Sequence, residues 1–332
     1  MGTAAASEEH GVLSVVVPCF NEEQVLEAFN DELHAQLDEL QEPYEVVFVD
    51  DGSTDGTLSL LRAFAFRDRR VRYLSLSRNF GKEAGLLAGL RECTGDHIAI
   101  MDSDLQHPPR LLRRMLDLQR EGFDQVVARR SREHDGPLRT LLSRGYYRLV
   151  NHWADVELID GAGDFRLLSR RAVDALLDLG ERNRFSKGLF SWIGFSTVFF
   201  DYTDTPRAGG SSKWNYRKLL NYAVDGVVSF NTRPLRLAIH VGLVLAGLAL
   251  AYAAWTVGTV LIGGVTAPGY VTLVVAITGF GGMQMVLLGL IGEYVGRVYN
   301  ECKQRPHYLV SERTPGDPSD VAHPSALRTR SS

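Results

Sequence analysis

The chain has 332 residues, of which 45 % are hydrophobic and 23 % charged, and a formal net charge of −4. These values exclude a wholly disordered or collagen-like chain, and the lack of excess positive charge argues against a nucleic-acid partner. Cys19, Cys93 and Cys302 are scattered with no C-x-x-C, which speaks against a disulfide framework or a cysteine zinc site and fits a reducing compartment.

Residues 1–11 are small and acidic, with neither a basic nor an apolar stretch, so they are expected to be flexible and not a signal peptide. Leu13–Val17 is a β-branched apolar run ended by Pro18. Similar runs follow at Glu45–Val49, Tyr73–Leu76, His97–Met101 and Asp124–Ala128. Between them the pattern predicts helices over Glu22–Leu40, Thr57–Arg67, Lys82–Glu92 and Pro109–Glu121. Strands alternating with helices imply an α/β domain, a Rossmann-like, mostly parallel sheet covered on both faces. It should occupy residues 12–205.

Residues 206–234 follow, in which Trp214, Leu220, Ala223, Val224 and Val227 can share one face while Arg217 and Lys218 reach outward. An interfacial amphipathic helix at a membrane surface is expected there, with an ordinary core helix as the alternative. From Leu237 to Gly292 there is no Asp, Glu, Lys or Arg. About 20 residues cross a bilayer core, so a hairpin over 235–298 fits, with spans near 237–262 and 270–292 and a turn at Pro268. The bland alternative is a buried hairpin in a soluble core. Arg233, Arg236, Arg297, Lys303 and Arg305 flank the spans and the short loop between them has no basic residue. Both ends and the large domain are therefore expected on the cytoplasmic side of the cell membrane. Glycines in the spans, such as Gly242 and Gly289, permit close helix packing within or between chains, so a homo-oligomer stays open. The rest, 299–332, reads as a cytoplasmic tail, disordered from about 314.

In such sheets ligands bind beyond the carboxyl ends of the strands. The polar clusters stand there: Asn21-Glu22-Glu23, Asp50-Asp51-Gly52-Ser53 and Asp102-Ser103-Asp104. Three acidic clusters on one edge repel one another unless a cation sits among them. Asp102 and Asp104, two carboxylates at i and i+2 leaving a strand, suit an oxygen-loving ion such as Mg²⁺, with Gln106 able to add a carbonyl oxygen. Asp50 or Asp51 could accept hydrogen bonds from a nucleobase, whereas helix capping alone explains Ser53 and Asp55. Phe20 could pack on a base or ribose and Glu22 could accept from ribose hydroxyls, while Asn21 reads equally well as an N-cap.

Pro18-Cys-Phe20-Asn21-Glu22-Glu23, the Asp50-Asp51-Gly52-Ser53 turn and the Asp102-x-Asp104 motif together resemble the GT-A glycosyltransferases of family 2. The similarity continues through Ser77-Arg78-Asn79-Phe80-Gly81-Lys82, His107-Pro108-Pro109, Gly163-Asp164-Phe165-Arg166-Leu167, Phe185-Ser186-Lys187-Gly188-Leu189, Gly210-Ser211-Ser212-Lys213 and Gly292-Glu293-Tyr294. These look like the polyisoprenyl-phosphate branch, which includes the bactoprenol glucosyltransferases and, more distantly, the dolichol-phosphate mannose synthases. The resemblance implies a nucleotide-sugar donor bound by Pro18, Phe20, Asn21, Glu22, Asp50, Asp51, Asp102 and Lys82. It implies Mg²⁺ or Mn²⁺ on Asp102, Asp104 and Gln106, and a polyisoprenyl phosphate acceptor at the membrane. Arg130 and Arg144 match arginines that bind the acceptor phosphate, and Arg148, one helical turn beyond Arg144, could assist. Asp164 matches an aspartate proposed as catalytic base.

A phosphate monoester is already mostly a dianion at neutral pH, its second pKa being about 6. Such a nucleophile needs placement and charge screening more than deprotonation, so arginines are expected to place it, with Asp164 as base or orienter. The expected reaction is inverting, metal-dependent transfer of a hexose, foremost glucose from UDP-glucose, to undecaprenyl phosphate. GDP-mannose, UDP-GlcNAc, UDP-galactose or an amino-arabinose donor would fit a similar site. A processive polysaccharide synthase would show Q-x-x-R-W and more spans. A non-enzymatic membrane scaffold would bind nucleotide without turnover.

Overall fold

The computed structural model describes residues 11–130, 162–181, 184, 186–202 and 269–315, with scattered positions between 242 and 262. Its centre is one eight-stranded sheet in the order β7-β5-β6-β4-β1-β2-β3-β8. The strands are β1 (Leu13–Cys19), β2 (Tyr44–Asp50), β3 (Val71–Leu76), β4 (His97–Ile100), β5 (Gln125–Arg130), β6 (Ala162–Ser169), β7 (Thr197–Tyr202) and β8 (Val310–Arg313). β1 pairs in parallel with β2 and β4, β2 with β3, and β5 with β7. Only β6 and β8 run against the rest.

The helices are α1 (Leu26–Leu40), α2 (Thr57–Arg67), α3 (Lys82–Glu92), α4 (Leu111–Arg120), α5 (Arg170–Asp178), α6 (Ser186–Trp192) and α7 (Tyr270–Cys302). Alternate residues of one strand serve opposite layers, as a pleat requires. Val15, Val17, Val46 and Phe48 meet Phe29 and Leu33 of α1, Phe64 of α2 and Met115 of α4. Val16, Val47 and Val49 meet Leu86 of α3, Val173 of α5 and Phe190 of α6. Strands buried on both sides carry β-branched residues almost without interruption, which is why β1 and β2 are so easily recognised. Gly89 lets α3 lie close to the sheet: a Cβ there would stand 2.3 Å from Val16 Cγ1.

Three expectations are corrected. β1 does not stop at Pro18 but runs on to Cys19, paired there with β2 alone because the β4 pairing ends at Val16. α1 starts at Leu26 rather than Glu22, because Asn21, Glu22 and Glu23 are engaged by the turn after β2. The segment after the apolar hairpin returns to the sheet as β8, antiparallel to β3, with Leu74 opposite Arg313. The Glu312 carboxylate accepts from Arg62 Nε at 2.8 Å and from the Tyr73 hydroxyl at 2.6 Å, which fixes that edge.

α7 is 33 residues long, and its first charged residue is Glu293. At 1.5 Å per residue it is about 50 Å long, beyond the roughly 30 Å of a bilayer core. Leu273, Ile277, Met285, Val286, Leu288 and Ile291 are exposed along it. Among the described residues no helix is long and apolar enough to cross a membrane. The expected interfacial helix at 206–234 lies outside the described residues, and the expected first span is described only at scattered positions.

Candidate active site

The carboxyl ends of β1, β2 and β4 and the start of α3 form one edge. The turn after β2 is its frame. Gly52 has φ +69, and a Cβ there would fall 2.4 Å from the carbonyl carbon of Arg78. Only glycine lets the Asp51-Gly52 turn touch the Ser77–Gly81 loop so closely. The Asp51 carboxylate then accepts from the N–H groups of Phe80 (2.7 Å) and Gly81 (2.8 Å). Burial nevertheless holds its pKa above the ordinary carboxylate value, with Asp50 adding to the effect. Asp50 accepts from Ser75 Oγ at 2.7 Å and from Ser53 N at 3.0 Å. Both aspartates are buried and organise the surrounding backbone at the edge.

The Asn21 segment is tied to the same turn. Asn21, at φ 57, donates its N–H to Ser53 Oγ and accepts from Thr54 N, each at 2.9 Å. Glu22 N donates to Thr57 Oγ1 at 2.9 Å. Asn21 and Ser53 are therefore neither of them helix caps; they bind to each other. Asp55 does hold the start of α2, accepting from Thr57 N at 3.0 Å. Phe20 beside them is 43 % exposed, an open aromatic surface at the edge.

The acidic motif follows β4. Gln106 N donates to Asp104 Oδ1 at 3.1 Å, and the Gln106 amide nitrogen also contacts Asp104. Leu105 between them takes φ 57, which bends the segment back on itself. Glu22 lies near enough that its pKa is raised, first by burial and then by Asp104, Asp102 and Asp55. Three carboxylates repelling one another, all with hard oxygen donors, fit a divalent cation. Among the described residues no three His, Cys, Asp or Glu side chains are gathered closely enough to hold a metal by themselves.

β6 brings the second half of the site. Its antiparallel register sets Ile100 opposite Arg166, the last pair of the ladder, and Asp102 and Asp164 each follow two residues beyond it. Two carboxylates across a strand pair repel. Lys82, the first residue of α3, resolves this. Its Nζ lies 2.7 Å from Asp102 Oδ1 and 2.7 Å from Asp164 Oδ2. Burial alone would raise the Asp164 pKa, but Lys82, Lys187 and Arg166 outweigh it and hold the group at about 2. The same pair of carboxylates drives the Lys82 pKa upward against its own desolvation.

Sequence reasoning missed the layer behind Asp164. Arg166 is 4 % exposed, stacks 3.6 Å from the Phe190 ring centroid and donates to Gly163 O at 2.8 Å. Its burial lowers its pKa to about 10, against the pull of Asp164 and Glu83. Glu83 accepts from Ser186 N at 3.2 Å, which ties α6 to α3. His107 bonds the Tyr202 hydroxyl at 2.5 Å and stacks on Phe165. The motifs containing His107, Arg166 and Ser186 were visible in the sequence; their mutual contacts depend on the register of β6. Arg144 and Arg148 lie outside the described residues, and of Arg130 only the backbone, ending β5, is described.

The matches to known proteins follow the same division. A family 2 glycosyl transferase model matches residues 14–177, and a GtrB C-terminal hairpin model matches residues 233–298. A putative glycosyltransferase, CsbB of Bacillus subtilis, is 46 % identical over 304 residues, 92 % of each chain. The bactoprenol glucosyl transferase of Shigella phage SfX is 41 % identical over 304 residues, 91 % of this chain and 99 % of its own. The chain belongs to the family 2 glycosyltransferases. This glycosyltransferase also has a distant structural likeness, at TM-score 0.44 and 18 % identity over 88 % of each chain, to the mannosyltransferase PcManGT of Pyrobaculum calidifontis in complex with GDP-Man and Mn²⁺.

Proposed function

We propose that this glycosyltransferase moves a hexose, glucose from UDP-glucose, onto a polyisoprenyl phosphate such as undecaprenyl phosphate, with inversion, at the cytoplasmic face of the cell membrane. The observation that carries the reading is the meeting of Asp102, Lys82 and Asp164 at an open strand edge bordered by Phe20 and Asp51, in a chain that also matches a GtrB C-terminal hairpin. The relatives named bactoprenol glucosyl transferase support the acceptor and the sugar.

In the reaction a phosphate oxygen of the lipid forms a bond to C1 of the sugar as the bond from C1 to the nucleoside diphosphate breaks. A single displacement turns an α-linked donor into a β-linked product. Phe20 offers a face to the base, Glu22 an acceptor for ribose, and Asp50 and Asp51 acceptors for the base edge. Asp102 and Asp104, with Gln106, are the groups for Mg²⁺ or Mn²⁺, which when bound screens the charge on the departing diphosphate. Asp164, ionised at neutral pH, orients rather than deprotonates, because the acceptor is already a dianion. Arg130, Arg144 and Arg148 are proposed to hold the acceptor phosphate. The acceptor's phosphate lies at headgroup level, which gives the apolar hairpin its purpose: α7 and the segment before it would hold the domain there, with both ends cytoplasmic.

The test uses membranes containing the protein, undecaprenyl phosphate and Mg²⁺, with labelled UDP-glucose, UDP-galactose, UDP-GlcNAc and GDP-mannose offered in parallel. Label should enter the organic phase from UDP-glucose alone and vanish with EDTA. Label from another donor would overturn the sugar, and lipid label that survives EDTA would overturn the metal. Asp104→Asn should nearly abolish turnover while membrane insertion is unchanged.

A further inference from the structure

Lys82, expected from the resemblance to bind the donor, has no step of its own in the chemistry proposed above. Its ammonium sits on Asp102, a carboxylate proposed for the divalent ion, at 2.7 and 2.9 Å from the two oxygens, and at the same time on Asp164. It is delivered there by a braced loop. Asp51 grips the N–H groups of Phe80 and Gly81, and Gly52 lies against the backbone of Arg78. The next residue, Glu83, is fixed to Ser186. A lysine held this firmly on both sides is a built part of the site, although its side chain is 44 % exposed.

We propose that Lys82 is the resident counter-cation of the acidic edge. With no divalent ion present it neutralises Asp102 and Asp164, which the β4–β6 register forces together. When an ion arrives Lys82 releases Asp102 and stays on Asp164. The ammonium and the ion compete for one carboxylate, so the site binds a divalent ion weakly until the nucleotide diphosphate adds its own oxygens. Lys82 thereby couples ion binding to donor binding and keeps Asp164 in place throughout. It is a positioning residue, and its role rests on the metal reading of Asp102 and Asp104.

The experiment measures Mn²⁺ binding to the full chain in detergent, without nucleotide, from the loss of the free-ion electron paramagnetic resonance signal. Lys82→Met should bind Mn²⁺ at least about tenfold more tightly than wild type, a change of 1.4 kcal/mol. Lys82→Arg, which keeps the charge, should stay near wild type. To separate this from a folding defect, Lys82→Cys is made together with Cys302→Ser and then aminoethylated. Restoring the ammonium on the folded protein should return Mn²⁺ affinity to the wild-type value. Equal or weaker binding by Lys82→Met and by unmodified Lys82→Cys, or no effect of aminoethylation, would overturn the proposal. Asp104→Asn serves as the separate check on the ion site: if it binds Mn²⁺ as wild type does, the metal reading itself fails.

Discussion

Gly52→Ala should damage turnover far more than stability. Two effects add at this residue. Its φ of +69 is left-handed, which for a non-glycine residue costs about 1–2 kcal/mol. The new methyl would also stand 2.4 Å from the Arg78 carbonyl carbon and 2.7 Å from Asn79 N, where carbon contacts relax only near about 3.5–4.0 Å. The neighbour is backbone and cannot rotate away, so the Ser77–Gly81 loop must move by about 1 Å. A shift of that size in a reacting constellation costs about 100-fold in rate, and here it is passed on to Lys82 between Asp102 and Asp164. The assay is lipid-linked sugar formation beside a urea melt, with Gly122→Ala as comparison. Gly122 also has positive φ (+103), but a Cβ there meets nothing within 4 Å and it lies past α4, away from the site. It should lose about 1–2 kcal/mol of stability and keep its activity. Equal turnover in the two variants would refute the view that the turn after β2 positions Lys82.

Asp164→Asn should lose roughly 2–3 kcal/mol of stability at pH 7, the worth of a carboxylate held at about 2 against an unfolded value near 3.9. A depressed pKa stabilises above the unfolded value and ceases to as pH falls through the folded one, so denaturant melts of the two proteins should converge between about pH 4 and 2. A constant gap would contradict this. Gly89→Ala, with a methyl 2.3 Å from Val16 Cγ1, should overpack the α3 layer by about 1–3 kcal/mol, read as a lowered melting temperature. Glu312→Ala removes the acceptor shared by Arg62 and Tyr73. It should speed amide hydrogen exchange across β3 and β8 and leave exchange in β1 unchanged.

Much of this architecture was legible in the residues. The plainest strands are apolar runs such as Val15-Val16-Val17 and Val46-Val47-Phe48-Val49, because they are covered on both faces. The acidic motifs were legible because they follow those runs. β6 was harder: Asp164 and Arg166 break its apolar pattern, and their partners, Lys82, Glu83 and Phe190, come from distant parts of the chain. That Asp102 and Asp164 meet follows only from the antiparallel register of β4 and β6. β8 gave no signal, since Val310-Ser-Glu-Arg is short and polar and holds its place through Arg62 and Tyr73 rather than through its own propensity.

The return of β8 bears on how the domain can be handled. The sheet is completed by residues on the far side of the apolar hairpin, so the catalytic layer is not a detachable N-terminal piece. A fragment ending ahead of the hairpin would retain the Asp102, Lys82 and Asp164 elements yet uncover the outer side of β3. The N–H of Ser77, now bonded to Leu309 O at 2.8 Å, and the carbonyl of Tyr73, now bonded to Thr314 N at 3.0 Å, would lose their partners. An uncovered strand of that kind recruits other chains. Soluble fragments of this enzyme should therefore self-associate in proportion to concentration, and a synthetic peptide spanning 308–315 should suppress that association.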